Sequence, residues 1–194
     1  VLDGLHHWGR IFLHGHKLRD HVGGFTRFSL DLPTHTLGTA ELVILVDNRL
    51  DEKRCPLHLT YFDWYHYGGI ARGVELHHLP ATAIDSLRLD TLDYKRGTVQ
   101  VRLTASHVGG KTTLPLLIEA DGQVLVRAAV PVTRGVQEIE RTITLKNPLP
   151  WSPDKPNLHL VRVTLGDDDM TERIGLRQVK VRGREILLNG QPLL

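Results

Sequence analysis

Apolar residues recur at every second position along most of the chain, the period of a strand with one buried face. Val99, Val101 and Leu103 alternate with Gln100, Arg102 and Thr104, and Ile139, Ile143 and Leu145 alternate with Glu140, Thr142 and Thr144. Leu158 and Leu160, followed by Val161, Val163 and Leu165, form a similar run whose phase slips by one between Leu160 and Val161. Ile174, Leu176, Val179 and Val181 alternate with a shift near Arg177–Gln178 that reads as a bulge. Gly109–Gly110, Asp121–Gly122, Arg134–Gly135, Gly166–Asp167 and Asn189–Gly190 supply turn chemistry between the runs. With no stretch of helical period, this spacing predicts an all-β sandwich.

Leu79-Pro80-Ala81-Thr82 marks a boundary, because proline removes an amide donor and restricts the residue before it. Beyond it, seven strands are predicted to begin near residues 84, 98, 113, 123, 138, 158 and 172. That number matches an immunoglobulin-like sandwich without the central cysteine pair. Leu149-Pro150-Trp151-Ser152-Pro153-Asp154-Lys155-Pro156 interrupts the strands as a rigid loop, with Trp151 expected to pack over a sandwich end.

Composition removes several alternatives. The chain has 194 residues, and 24 Lys and Arg against 22 Asp and Glu leave a formal charge of +2. Without clustered cations this argues against a nucleic-acid partner. Cys55 stands alone, which excludes an internal disulfide framework and cysteine-rich zinc folds. The longest apolar run, Leu42-Val43-Ile44-Leu45-Val46, is strand-length, so no membrane span is expected. The chain begins Val1-Leu2-Asp3 and its only methionine is Met170, which reads as a piece of a longer protein.

Five segments carry a family resemblance. Ile11-Phe12-Leu13-His14-Gly15 and then His21-Val22-Gly23-Gly24-Phe25-Thr26-Arg27-Phe28 form the first, and Leu45-Val46-Asp47-Asn48 the second. Asp63-Trp64-Tyr65-His66-Tyr67-Gly68-Gly69-Ile70-Ala71-Arg72 is the third and most specific. Trp151-Ser152-Pro153-Asp154-Lys155-Pro156-Asn157-Leu158 is the fourth. Ile174-Gly175-Leu176-Arg177, leading to Leu187-Leu188-Asn189-Gly190-Gln191-Pro192-Leu193, is the fifth. In this order they resemble glycoside hydrolase family 2, the β-galactosidase and β-glucuronidase group.

The resemblance implies that residues 1–80 are the later part of a jelly-roll sugar-binding domain. It makes residues 81–182 an immunoglobulin-like β-sandwich and residues 183–194 a hairpin leading to a catalytic barrel. Retaining glycoside hydrolysis needs two carboxyl groups about 5–5.5 Å apart. In the family both are barrel glutamates, and no position here matches either motif. The resemblance therefore implies a non-catalytic accessory region of a retaining β-glycosidase, with carbohydrate and the barrel as partners and no cofactor. A free-standing carbohydrate-binding sandwich and a structural immunoglobulin-like module are the alternatives. An incomplete jelly roll leaves Phe12, Phe25, Phe28, Leu42, Ile44 and Val46 in need of cover, which a second copy or a complementing strand would provide.

The same resemblance marks Asp63 as the sugar-contacting carboxylate, able to accept hydrogen bonds from adjacent hydroxyls; a turn cap before Trp64 is the structural alternative. His14 stands where the family commonly has a substrate-touching asparagine, Arg27 where it has proline, and His66 where it has asparagine. Trp64, Tyr65, Tyr67 and Trp151 read first as rings buried at a domain interface, and Trp64, Tyr65 and Tyr67 second as a stacking platform for sugar. Arg72 reads as a fork to carboxylates or carbonyls at that junction. His14 and His16 are expected on one strand face, as exposed histidines rather than zinc ligands. Asp167-Asp168-Asp169 reads as an acidic hairpin tip rather than a calcium loop. Lys180, Arg182 and Arg184 read as one solvated strand face, and Cys55 as structural or a surface thiol.

Overall fold

The computed structural model describes residues 1–33, 39–49 and 65–193, and divides into two units, Val1–His78 and Leu79–Leu194. All regular structure among the described residues is β, as the alternating pattern predicts. Asp63, Trp64 and Cys55 lie outside the described residues.

The first unit holds β1 (Leu5–His6), β2 (Trp8–Leu13), β3 (His16–Val22), β4 (Leu42–Asp47) and β5 (Gly69–Ile70). β2 lies between β3 and β4, antiparallel to both, and β1 pairs with β5. Ile11 and Leu13 point inward from β2 while Phe12 is only half-buried. Leu2, Leu5, Ile11 and Phe28 form the core, with Leu30, Ile44 and Val46 packed against it. Of the residues expected to need cover, Phe28, Ile44 and Val46 thus find it inside the unit, while Phe25 and Leu42 are exposed. His21 stacks on Phe28 with ring centroids 3.7 Å apart.

The second unit opens with β6 (Thr82–Asp93), β7 (Thr98–His107), β8 (Thr112–Ala120), β9 (Gln123–Val132), β10 (Gly135–Thr144), β11 (His159–Leu165) and β12 (Asp168–Ile174). The first sheet runs β10-β7-β6 and the second β12-β11-β8-β9. The fourth strand therefore pairs with the third instead of joining the sheet of the fifth, a variation on the immunoglobulin arrangement. Val99, Val101, Leu103 and Ala105 from β7 meet Leu116, Ile118, Val161, Val163 and Leu165 in one core. After β12 the chain forms a separate sheet of β13 (Val179–Arg182), β14 (Glu185–Leu188) and β15 (Gln191–Pro192).

Four local expectations are corrected. β11 has a single phase: Leu158 and Leu160 are exposed, and the inward residue between them is His159. The run from Ile174 to Val181 is not one bulged strand. Leu176 is buried and bridges Pro150, whereas Val179 and Val181 lie exposed on the separate sheet. His14 and His16 do not share a strand face either, because His14 occupies the β2–β3 turn at φ 48° and only His16 is in β3. Arg184 likewise falls in the turn between β13 and β14, so Lys180 and Arg182 stand without it on β13, and Arg182 pairs with Glu185. At the β11–β12 turn, Asp168 accepts the Ile84 N–H at 2.7 Å and Asp169 pairs with Arg162.

Candidate functional site

In the first unit, the described part of the most specific motif runs from Tyr65 to Arg72. Its backbone is fixed by β5 pairing with β1, by Ala71 N–H donating to Gly4 O, and by Asn48 Nδ2 donating to His66 O at 2.9 Å. A side chain at Gly68 would stand 2.8 Å from Asn48 Cγ, so glycine lets this segment lie directly on the end of β4. Arg72 Nη1 donates to Phe25 O at 3.3 Å, tying the segment to the Gly23–Phe28 loop. Arg27 in that loop pairs with Asp3 at 3.2 Å and Glu75 at 3.6 Å.

Between these anchors the structure gathers three imidazoles. His6 Nε2 lies 3.1 Å from His66 Nδ1, so a single hydrogen is shared along that line, and the His7 ring is 5.7 Å from His6 and 5.8 Å from His66. Phe25 leans on His6 at 5.0 Å. Burial, then the nearby His66 and His7, lower the His6 pKa from its ordinary 6.5 and favour its neutral form. Among the described residues no group of three or more His, Cys, Asp or Glu is placed to hold a metal ion. Tyr65 and Tyr67 stack at 5.5 Å and stand 82% and 74% exposed. His14 is exposed at its turn, its N–H donating to Glu41 O at 3.0 Å.

Trp151 belongs to the second unit and is held by backbone and side chain together. Its N–H donates to Leu176 O at 3.0 Å, and its carbonyl accepts Asn189 Nδ2 at 2.9 Å. Asn189 Oδ1 accepts the Gln178 N–H at 2.8 Å, and Asn189 O accepts the Tyr94 hydroxyl at 2.9 Å. Arg177 lies over the indole at 5.0 Å. Just upstream, Leu149 N–H donates to His159 Nε2 at 3.1 Å, and His159 Nδ1 lies 2.7 Å from Asp121 Oδ2. Asp121 Oδ1 also accepts the Leu160 N–H at 2.9 Å.

Burial disfavours the charged form of Asp121, but the His159 and Leu160 hydrogen bonds outweigh it and hold the carboxyl below its ordinary 3.8. A depressed carboxyl stabilises the fold above the unfolded value and loses that contribution as pH falls through the folded one. The stability of the second unit should therefore decline below about pH 4. Asp121→Asn should flatten this acid limb, as urea midpoints between pH 5 and pH 3 would reveal.

Sequence reasoning missed His6, His7 and Asn48 in the first unit, and Asp121, His159 and Asn189 as anchors in the second. Asn48 ends a quoted motif and Asn189 opens a turn dipeptide, so both were visible as residues but not as ties. The histidines carry no local signal of their role.

The geometry can be set beside known proteins. Residues 82–177 match the family model described as glycosyl hydrolases family 2. A beta-galactosidase from Thermoanaerobacter pseudethanolicus is 27% identical over 197 residues, covering 95% of this chain and 26% of its own length. A beta-glucuronidase from Paenibacillus borealis is 24% identical over 211 residues, covering 95% of this chain and 34% of its own. Among solved structures, the family 2 beta-galacturonidase from Eisenbergiella tayi bound to galacturonate superposes with a TM-score of 0.83 at 25% identity. It covers 99% of this chain and 35% of that one. The chain thus spans about a quarter to a third of the length of these relatives.

Proposed function

Because this chain belongs to glycosyl hydrolase family 2, we propose that it is a non-catalytic accessory region of a retaining β-glycosidase acting on β-glucuronides or β-galactosides. The observation that carries the reading is the span of the likeness, which runs along 95% to 99% of this chain and 26% to 35% of each relative. Retaining hydrolysis requires a paired acid/base and nucleophile, and this reading assigns both to the barrel. Residues 1–80 and 81–182 then act as β supports, and residues 183–194 lead toward the barrel. Asp63, with His14, contacts sugar hydroxyls, while Trp64, Tyr65, Tyr67, Arg72 and Trp151 serve domain contacts.

The test compares the 194-residue protein with its longer parent on nitrophenyl β-glucuronide, β-galactoside and β-galacturonide. Nitrophenol is expected from the parent alone, and release by the purified short chain would overturn the proposal. In the parent, Asp63→Ala removes a charged hydrogen-bond acceptor and should lower kcat/KM about 10- to 100-fold. An unchanged value takes Asp63 out of the sugar pocket. The exposed Tyr65–Tyr67 stack favours one second reading, a sugar-binding sandwich acting without any enzyme. Saturable binding of galactose or glucuronic acid by the short chain in titration calorimetry would promote it.

A further inference from the structure

The second unit buries two histidines, His107 and His159, and their hydrogen bonds differ in one decisive respect. His159 is 3% exposed. An ionised carboxylate can only accept, so His159 Nδ1 carries the hydrogen toward Asp121 Oδ2 at 2.7 Å. A backbone amide can only donate, so Nε2 keeps its lone pair for the Leu149 N–H at 3.1 Å. Both ends of the ring are thus committed to one neutral tautomer.

His107 is bound differently. Its Nε2 lies 2.9 Å from Gly110 O, a pure acceptor, and its Nδ1 lies 2.7 Å from the Thr82 hydroxyl. A hydroxyl can donate or accept. When His107 gains a proton, Thr82 reverses its role and both bonds survive. A proton on His159 must sit on Nε2, where it confronts another N–H. The charge attracts Asp121, but that attraction leaves the Leu149 bond broken.

Across the sheet His159 pairs with Ile174, which is uncharged. Of the charged groups on the surrounding elements, Asp121 and Lys146 line one small cavity with Ala120 and Leu145, while Arg173, Glu172 and Glu119 on the adjoining strands stand opposite Leu160, Val161 and Arg162. Asp121 is already engaged by Nδ1–H and Leu160 N–H, and Lys146 can only donate.

We propose that His159 is a proton-operated latch on the loop Leu149–Pro150–Trp151. Neutral imidazole holds the Leu149 amide. Uptake of one proton from solvent forms Nε2–H, breaks the Leu149 N–H···Nε2 bond and turns that amide to water. The loop's next ties are Trp151 N–H to Leu176 O and Asn189 Nδ2 to Trp151 O. Release therefore passes to the Asn189 turn, which joins β14 to β15 and is itself fixed by Tyr94 and Gln178. The latch does not depend on the proposed enzymatic role.

Amide exchange of the 194-residue protein tests it. Protection factors, corrected for the intrinsic pH dependence of exchange, are compared at pH 7.5 and pH 5.0 for Leu149 and for Val101 in the core. Leu149 should lose at least tenfold in protection at pH 5.0 while Val101 keeps its own. His159→Gln offers a carbonyl acceptor at every pH and should abolish the loss; His107→Gln should leave it intact. Unchanged Leu149 protection at pH 5.0 overturns the latch, whether or not the His159 ring shifts report protonation. So does the same loss in a folded His159→Gln protein. If that variant does not fold, a loss in the unmodified protein that fails to track the His159 ring shifts is equally fatal.

Discussion

Leu165→Ala should destabilise the unit Leu79–Leu194 by about 3–4 kcal/mol, whereas Leu160→Ala on the same strand should change it by less than about 1 kcal/mol. The side chain and the substitution are the same; only the face of β11 differs. Leu165 is 0% exposed, opposite Leu116 in the neighbouring strand and inside the cluster that contains Leu103 and Val163. Shortening it removes buried methyl groups and leaves a void that a sheet pinned on both sides by β8 and β12 cannot close. Leu160 is 49% exposed and paired with Arg173, so truncation there removes surface already in water. Exchange of a core amide such as Val101 reads the stability of this unit. Equal losses in the two variants would show that the inward and outward faces of β11 are assigned wrongly.

That contrast also shows where the alternating pattern can and cannot be read. β7 was legible because its inward residues from Val99 to Ala105 are aliphatic and its outward ones polar or charged, with His107 the one polar inward residue at its end. β11 was misread at its start because Leu158 and Leu160 are apolar and exposed, while the buried position between them is a histidine. A histidine can be buried only if its nitrogens are satisfied, and its partners, Asp121 and Leu149, come from other segments. No period along the strand records them. The chain after β12 was misread for a related reason. Leu176, Val179 and Val181 keep a strand-like rhythm although Leu176 faces the sandwich and the two valines belong to another sheet.

The candidate site divides in the same way. The Tyr65–Arg72 segment was visible through its motif, with Gly68 where the backbone lies close to Asn48 and Gly69 at positive φ. What places it was not visible, since His6 and Asn48 reach it from β1 and from just beyond β4. Asn189–Gly190 was legible as a turn, but its work as a tie depends on Trp151, Gln178 and Tyr94, three residues in three separate stretches. Local turn chemistry survives in a sequence; the choice of distant hydrogen-bond partner does not.

Gly97→Ala should destabilise the same unit by about 2–5 kcal/mol, and Gly122→Ala by only about 1–2 kcal/mol. Both glycines have positive φ, +71° and +76°, so an L side chain strains each backbone similarly. Gly122 ends in open space, with nothing within 4 Å of an added Cβ, and so incurs the conformational term alone. At Gly97 the same methyl would stand 2.7 Å from Pro148 Cβ and 3.2 Å from Leu145 Cβ. A proline ring cannot rotate away, so relief requires moving the backbone of residues 145–149. That motion strains the Leu145 N–H bond to Gly97 O and pushes on Leu149, whose amide is held by His159. The excess of Gly97→Ala over Gly122→Ala, read from exchange of Val101, is therefore a measure of how firmly this loop is seated.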